Sequence, residues 1–309
     1  MPNPSAVWPA GSSLPWGRVI TAMATPFDAE GRIDPAGVAR LVDHLFTHGS
    51  ESLVVSGTTG ESPVLSAAEK LRLFELVRES ARGRGAVLAG VGSYDTAESA
   101  KLAREAAALG VDGLLLVTPY YNKPSQEGLY RHFRAVAEAT PLPVMLYNVP
   151  PRTSVNLEAR TTLRLAADAP NVVAVKEASS NLVQATEILS DAPEGFRVYS
   201  GEDPLVLPLM AIGAYGVVSV SAHLVGPDLQ AMIAAHLRGD IAEAARLHAK
   251  MMPIVRALFQ PTTPSPVPLK AALELMGVPV GAPRLPLVQA TDAERATVRK
   301  AMQDYGLLR

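Results

Sequence analysis

The stretch Val172-Val-Ala-Val-Lys-Glu-Ala-Ser179 is a short apolar run that ends at a lysine and continues into small and polar residues. Runs of the same kind recur along the chain, each four or five residues long and mostly rich in β-branched residues or leucine. Such runs are typical of parallel strands that helices cover on both faces. The eight runs are Val19–Met23, Ser52–Val55, Ala86–Ala89, Gly113–Val117, Pro143–Tyr147, Val172–Lys176, Phe196–Tyr199 and Gly216–Val220.

Segments with helical spacing, such as Ser66–Ala81 and Thr96–Leu109, lie between these runs. Eight strand–helix units in about 220 residues predict an α/β protein with a (β/α)8 TIM barrel. A doubly wound sheet is the alternative, but it usually has fewer strands, and no G-x-G-x-x-G turn follows the first run. Beyond the barrel, helical patterns follow one another without a strand, which predicts a C-terminal helical appendage. Its helices are Asp240–Phe259, Ser265–Met276 and Thr291–Leu307.

We expect three parts in the chain: a flexible N-terminal extension over residues 1–17, the barrel over 18–236 and a helical domain over 237–309. The extension is rich in proline, serine and tryptophan, and it has no lysine or arginine before Arg18. A signal peptide needs a basic region followed by an apolar one. We therefore interpret this segment as an extension of the folded protein.

The composition excludes several kinds of protein. The 309 residues include no cysteine, which excludes a disulfide scaffold, a cysteine nucleophile and a thiolate metal site, and fits the cytoplasm where we expect the protein. A net charge of −2 argues against nucleic acid or an anionic membrane as a partner. Leu205–Ala222 carries no charge, but Pro208 and Gly213 interrupt it. It predicts a short helix and a buried strand rather than a membrane span.

In a (β/α)8 barrel, the site lies at the carboxyl ends of the strands and in the loops that follow them. This rule reduces the polar residues of the chain to a short set of loops. Those loops are Ser56–Glu61, Thr118–Asn122, Tyr147–Arg152, Lys176–Ser179 and Ser200–Asp203.

Lys176 is the candidate nucleophile. Of the seven lysines, five fall on predicted helices and one in a polar loop, and only Lys176 closes an apolar run. Partial desolvation at this position favours the neutral amine, which is the form that attacks a carbonyl. The alternative is a structural ion pair with Glu177, and position alone leaves the two interpretations open.

Four more side chains at strand ends carry chemistry that would suit such an amine. Tyr147 ends the neighbouring strand, where a phenol can move protons, although it can also simply pack. Thr58 and Thr59 lie between glycines, where hydroxyls and N–H groups can bind a carboxylate, or the turn can lack a function. Arg152 follows two prolines and suits a bidentate grip on a second carboxylate, or else it faces solvent.

No pattern implies a metal or a nucleotide cofactor. His44 and His48 are four residues apart, but they lie on the first predicted helix, away from the strand ends, and outside any H-E-x-x-H pattern. A packing or surface role fits them better. The sequence also contains no phosphate-binding Walker loop.

Six motifs in a fixed order carry a family resemblance. Because of these motifs, the chain resembles the dihydrodipicolinate synthase / N-acetylneuraminate lyase family over Val19–Leu308. Arg152 after the third motif and Lys-Glu-Ala in the fourth favour the synthase branch. The motifs are Gly57-Thr-Thr-Gly-Glu-Ser62, Thr118-Pro-Tyr-Tyr-Asn122, Tyr147-Asn-Val-Pro150, Val175-Lys-Glu-Ala178, Ser200-Gly-Glu-Asp203 and Gly216-Val-Val-Ser-Val220.

The resemblance implies the chemistry. Lys176 forms an imine with pyruvate, so that no cofactor is needed, and Tyr147, Thr58 and Tyr121 form a proton relay. The second substrate is L-aspartate 4-semialdehyde, in the synthesis of diaminopimelate and lysine. In the family the position of Tyr121 is supplied by the adjoining subunit, which implies a homo-oligomer, typically a tetramer built as a dimer of dimers.

The resemblance also implies how the substrates are held. Thr59 binds the carboxylate of pyruvate, and Arg152 binds that of the semialdehyde. The backbones of Gly201 and Val218 line the pocket.

Two alternatives and one departure accompany this interpretation. One alternative is another pyruvate-dependent class I aldolase or dehydratase of the family, acting on a sugar acid or a 4-hydroxy-2-oxo acid. The other is a barrel that only binds a ligand and forms no covalent adduct.

The departure concerns feedback, because lysine-inhibited members have a histidine near the start of the second helix and an amide after strand 3. In this chain those positions are occupied by Ala67, Lys70 and Tyr94, which predicts weak or absent inhibition by lysine.

Overall fold

The computed structural model describes residues 14–308. Eight parallel strands pair in sequence order, and β8 pairs with β1 to close the barrel. The predicted (β/α)8 fold is confirmed, and each predicted run matches a strand to within one residue at either end. The strands are β1 Val19–Ala22, β2 Ser52–Val55, β3 Ala86–Gly90, β4 Gly113–Val117, β5 Val144–Asn148, β6 Val172–Glu177, β7 Arg197–Ser200 and β8 Gly216–Ser219.

Helices follow the strands and then continue beyond the barrel, as the sequence predicts. Polar caps set several of the starts, and Ser66 with Glu69 forms a complete capping box before the second helix. Within residues 14–308 the α-helices are α1 Pro35–Thr47, α2 Ala67–Ala81, α3 Thr96–Ala108, α4 Gln126–Glu138, α5 Pro150–Thr153, α6 Ala159–Asp168, α7 Leu182–Asp191, α8 Val206–Ala211, α9 Ala222–Leu237, α10 Ile241–Leu258, α11 Val267–Leu275 and α12 Asp292–Tyr305.

The apolar side chains form two cores. One lies between the strands and the surrounding helices, and the other fills the barrel interior, where Ile20, Leu88, Met145 and Val218 are all fully or almost fully buried. The continuous apolar runs arise from this arrangement, because each strand contributes side chains to both cores.

The amino-terminal end of the barrel is closed by residues that the sequence predicts to be flexible. Of the predicted extension, residues 1–13 lie outside the described residues. Residues 14–17 are packed under the barrel, because burying the large ring of Trp16 stabilises that position. Trp16 is fully buried, and its indole N–H donates to the carbonyl of Asp112 over 3.3 Å. The hydroxyl of Tyr199 donates to the carbonyl of Gly17 over 2.9 Å.

The uncharged segment Leu205–Ala222 contains α8 and β8, as predicted. Among residues 14–308, no helix has both the length and the hydropathy that crossing a membrane requires. The predicted division of the chain at residues 236 and 237 falls at the end of α9. Because α10 packs directly on α9, the division into two domains stays a prediction.

Candidate active site

A cavity of about 240 Å³ opens at the carboxyl ends of strands β2 to β5. Thr58 from the loop after β2, and Tyr147 and Arg152 from the end of β5 and the loop that follows it, all line this cavity. The structure thus brings together three of the predicted site residues. The other lining residues are Ser56, Gly57, Ser62, Pro63, Gly90, Gly92, Leu115, Val117, Tyr120, Val149 and Thr153.

Lys176 lies beside Tyr147, because strands β5 and β6 pair with these two residues opposite each other. The lysine side chain is buried, and its Nζ lies 4.0 Å from the centre of the Tyr147 ring. In residues 14–308, the lysines that pair with a carboxylate are Lys250, Lys270 and Lys300. Lys176 is not among them, so within these residues no carboxylate pairs with its amine.

The alternative of an ion pair between Lys176 and Glu177 is wrong. Glu177 is buried, and it accepts hydrogen bonds from the side-chain amides of Asn148 and Gln184 over 3.2 and 3.1 Å. It also accepts the backbone N–H of Ser179 over 2.7 Å. Successive strand residues point to opposite faces, so the glutamate faces away from the lysine. Burial raises the pKa of Glu177, and the hydrogen bonds oppose that rise.

Gly201, at the end of β7, leaves room for the lysine. A Cβ atom at this position would lie 2.6 Å from Cβ of Ala178 and 3.1 Å from both Cγ and Cε of Lys176. A side chain there would therefore collide with Ala178 and crowd the stem of the lysine. The N–H of Gly201 donates to the carbonyl of Glu177 over 2.7 Å, which fixes this approach.

The turn after β2 is a compact loop that backbone hydrogen bonds within the loop stabilise. The N–H of Glu61 donates to the carbonyl of Thr58 over 3.1 Å, and the N–H of Ser62 donates to that of Gly57 over 3.2 Å. Thr58 lines the cavity. Thr59 is buried and is not among the residues that line it.

Arg152 belongs to the short helix α5, which begins with two prolines one residue after the end of β5. Its side chain is exposed and lines the cavity, where it can meet an anion that enters from solvent.

Tyr121 is the predicted relay residue that the single chain does not place at the cavity. Its side chain is 91% exposed, and its backbone has a positive φ of 74°. The preceding residue, Tyr120, lines the cavity instead. Val218 lies within the buried barrel interior, in the same apolar cluster as Tyr147.

Sequence reasoning missed a second buried lysine. The sequence predicts only that Lys270 lies on a helix, yet it is buried in α11 and its Nζ lies 2.6 Å from Glu61. The signal was present, because Lys270 follows Val267-Pro-Leu in an otherwise apolar stretch.

His44 in the last turn of α1 and His48 just after it contribute to packing. Nε2 of His44 lies 2.8 Å from the carbonyl of His223, and the rings of His44 and His48 stack with centres 4.3 Å apart. Burial lowers the pKa of His44. Across residues 14–308, no three histidine or acidic side chains group closely enough to hold a metal ion.

Comparison with known proteins identifies the family. A model of the dihydrodipicolinate synthetase family matches residues 15–305. A 4-hydroxy-tetrahydrodipicolinate synthase of Moorella thermoacetica is 55% identical over 96% of this chain and 100% of its own length. The enzyme of the same name from Bacillus subtilis is 52% identical over 94% of this chain and 99% of its own.

Solved structures agree with the sequence relatives. A dihydrodipicolinate synthase of Bacillus anthracis superposes with a TM-score of 0.92 at 46% identity, over 94% of this chain and 99% of that one. A lysine-bound structure of the enzyme from Cyanidioschyzon merolae gives 0.93 at 45% identity, over 96% and 100%.

These matches cover the barrel, the cavity and the C-terminal helices. The chain belongs to the dihydrodipicolinate synthetase family. It is an enzyme of the lyase class, and the resemblance predicted from its motifs is confirmed.

Proposed function

We propose that Lys176 is the nucleophile with which this chain condenses pyruvate and L-aspartate 4-semialdehyde. The function is that of a 4-hydroxy-tetrahydrodipicolinate synthase, in agreement with the relatives, and the alternative substrates in the same family are not favoured. One observation supports the nucleophile above all others. Lys176 is buried at a strand end beside Tyr147 and outside the lysine–carboxylate ion pairs of residues 14–308.

The neutral amine of Lys176 attacks the keto carbon of pyruvate, and loss of water from the carbinolamine gives an imine. The imine makes the methyl group acidic, and loss of a proton turns it into an enamine. The enamine carbon forms the new bond to the aldehyde carbon, whose oxygen takes up a proton. The amino group of the second substrate then replaces Nζ at the imine carbon, which closes the product ring and frees the lysine.

Each proton in this sequence needs a carrier. Tyr147 and Thr58 pass protons between Lys176 and the substrate; that both line the cavity, and that the ring of Tyr147 lies beside Lys176, supports this role. The imine itself takes up the electrons of the methyl C–H bond. The reaction therefore needs neither a metal nor another cofactor.

The two carboxylates are held at different places. Thr59, next to Thr58 in the compact turn, holds the carboxylate of pyruvate, and Arg152 holds that of the semialdehyde at the exposed side. The backbones of Gly201 and Val218 complete the wall around the lysine. The close approach of Gly201 to the lysine stem supports this arrangement.

The active form is a homotetramer built as a dimer of dimers. Tyr121 completes the proton relay of the adjoining subunit, and its 91% exposure supports this role. The exposed apolar side chains of Leu182 and Val183 on α7 support a second interface. Sedimentation velocity that detects only a monomer at full activity would contradict this assembly.

The enzyme acts in the cytoplasm, in the synthesis of diaminopimelate and lysine. Steady-state rates with pyruvate plus L-aspartate 4-semialdehyde, set against sugar acids and 4-hydroxy-2-oxo acids, test the choice of substrate. We expect kcat/KM for the semialdehyde to be higher by at least about a hundredfold, because Arg152 has no matching carboxylate to bind at that place in the competitors. A faster reaction with a sugar acid would assign the chain to another branch of the family.

A further inference from the structure

A buried ion pair joins the C-terminal helices to the turn that follows β2. Nζ of Lys270, on α11, lies 2.6 Å from Oε1 of Glu61, and the two side chains are only 3% and 1% exposed. Nζ also donates to the carbonyl of Ala282 over 3.2 Å. Glu61 ends the Gly-Thr-Thr-Gly-Glu motif, two residues after Thr59.

The second carboxylate oxygen of Glu61 is also bound by the C-terminal part of the chain. Oε2 accepts the backbone N–H of Arg284 over 2.8 Å. The guanidinium of Arg284 donates to the carbonyls of Gly31 and Val64 over 2.8 and 2.9 Å, and it pairs with Glu69. Both carboxylate oxygens of Glu61 therefore contact the C-terminal part of the chain.

These contacts act on a constrained backbone. Glu61 has a φ of 56°, in the left-handed region that residues with a Cβ adopt at a cost in free energy. Its N–H donates to the carbonyl of Thr58, so a change in the position of Glu61 moves the threonines. The preceding Gly60 fits tightly, because a Cβ there would lie 3.1 Å from both the carbonyl oxygen of Met23 and the nitrogen of Ser56.

We infer that Lys270 and Glu61 are positioning residues for the pyruvate carboxylate. The ion pair fixes the left-handed end of the turn, and the turn presents Thr58 and Thr59 to the substrate. The C-terminal helices thus set the affinity of the site for pyruvate without touching the reacting atoms. This inference rests on the proposed function, because it takes Thr59 as the residue that holds the carboxylate.

Three variants separate positioning from general stability. Lys270→Met removes the charge and keeps an unbranched side chain. Glu61→Gln/Lys270→Met removes both charges, so that the turn keeps an amide that can accept from Arg284. The control is Lys250→Met, which removes the exposed ion pair with Asp228, 2.6 Å long, on the neighbouring helix α10.

The first measurement is the pyruvate concentration at which imine formation is half-saturated, with the imine trapped by borohydride. The second is the steady-state KM for each of the two substrates. Folded protein is quantified by thermal denaturation, so that each value refers to folded enzyme. We expect Lys270→Met to raise the half-saturating pyruvate concentration by about tenfold, since misplaced groups lose hydrogen bonds to a charged carboxylate. The KM for the semialdehyde should stay within about twofold, because Arg152 lies outside this turn, and Lys250→Met should match wild type.

A wild-type half-saturation in folded Lys270→Met would overturn the inference, and so would an equal rise in both KM values. If Lys270→Met does not fold, the double variant provides the test. We expect it to raise the half-saturating pyruvate concentration, and a wild-type value would contradict the inference. Wild-type enzyme that forms no adduct with pyruvate would instead overturn the proposed function, so the two failures are distinguishable.

Discussion

Within residues 14–308 two lysines are buried, Lys176 at the end of β6 and Lys270 in α11, and they are held in opposite ways. Lys270 pairs with Glu61 and donates to a backbone carbonyl. Lys176 packs against the ring of Tyr147, while the adjacent Glu177 bonds to amides on the other face. The two lysines are about equally buried, with Lys176 5% exposed and Lys270 4% exposed.

Burial alone therefore does not identify a nucleophile. Burial lowers the pKa of Lys270, but the charge of Glu61 opposes that effect and holds the ammonium in place. Lys176 has no such partner in residues 14–308, and Gly201 keeps space around its stem. The difference predicts that the two lysines contribute to different properties of the protein, one to catalysis and the other to the stability and shape of the site.

The largest effect is expected at the nucleophile. Lys176→Ala should lower turnover by at least about 10⁴-fold, because the covalent intermediate cannot form. The free energy of unfolding should change by less than about 1–2 kcal/mol, since no carboxylate loses its partner. Assays of turnover and urea denaturation check both parts, with Lys250→Ala as the control. Retention of a tenth of the activity would contradict the assignment of Lys176.

The opposite pattern is expected at the paired lysine. Lys270→Met leaves Glu61 buried and unpaired, so the free energy of unfolding should fall by about 3–5 kcal/mol. At saturating pyruvate, the folded variant should still form the adduct at Lys176. Urea denaturation and adduct mass spectrometry measure the two outcomes on the same sample. If Lys176→Ala proves the more destabilising of the two, the contrast between the lysines is wrong.

A smaller effect is expected next to the nucleophile. Tyr147→Phe should lower kcat by about 10²–10³-fold, because it removes a proton carrier and leaves the ring against Lys176. Tyr199→Phe is the matched control, since its hydroxyl bonds to the carbonyl of Gly17 at the closed end of the barrel. Equal losses of kcat in the two variants would show that the hydroxyl of Tyr147 has no special part in proton transfer.

Weak or absent inhibition is expected from added lysine. Lys70 stands where lysine-inhibited members of the family carry a histidine, and an ammonium there repels the ammonium of a lysine ligand. Burial lowers the pKa of Lys70, so this repulsion should weaken as the pH rises. Activity at neutral pH should stay within about twofold at millimolar lysine, measured in a coupled assay. Inhibition by lysine under these conditions would contradict the prediction.

The barrel and Lys176 could be predicted because both depend on local pattern. Continuous apolar runs identify buried parallel strands, and the strand ends then single out a lysine and a tyrosine on neighbouring strands. The ion pair between Lys270 and Glu61 could not be predicted in this way, because it joins distant parts of the chain through tertiary packing. The placement of Trp16 under the barrel has the same cause, since no local pattern distinguishes it from a flexible end.

The most direct test of the account is the covalent adduct itself. Wild-type protein is incubated with pyruvate, reduced with borohydride, digested and analysed by tandem mass spectrometry. The account predicts one modified lysine, Lys176, heavier by the mass of pyruvic acid less one oxygen atom, with Lys270 unmodified. An unmodified protein, or an adduct on Lys270 alone, would contradict the central claim.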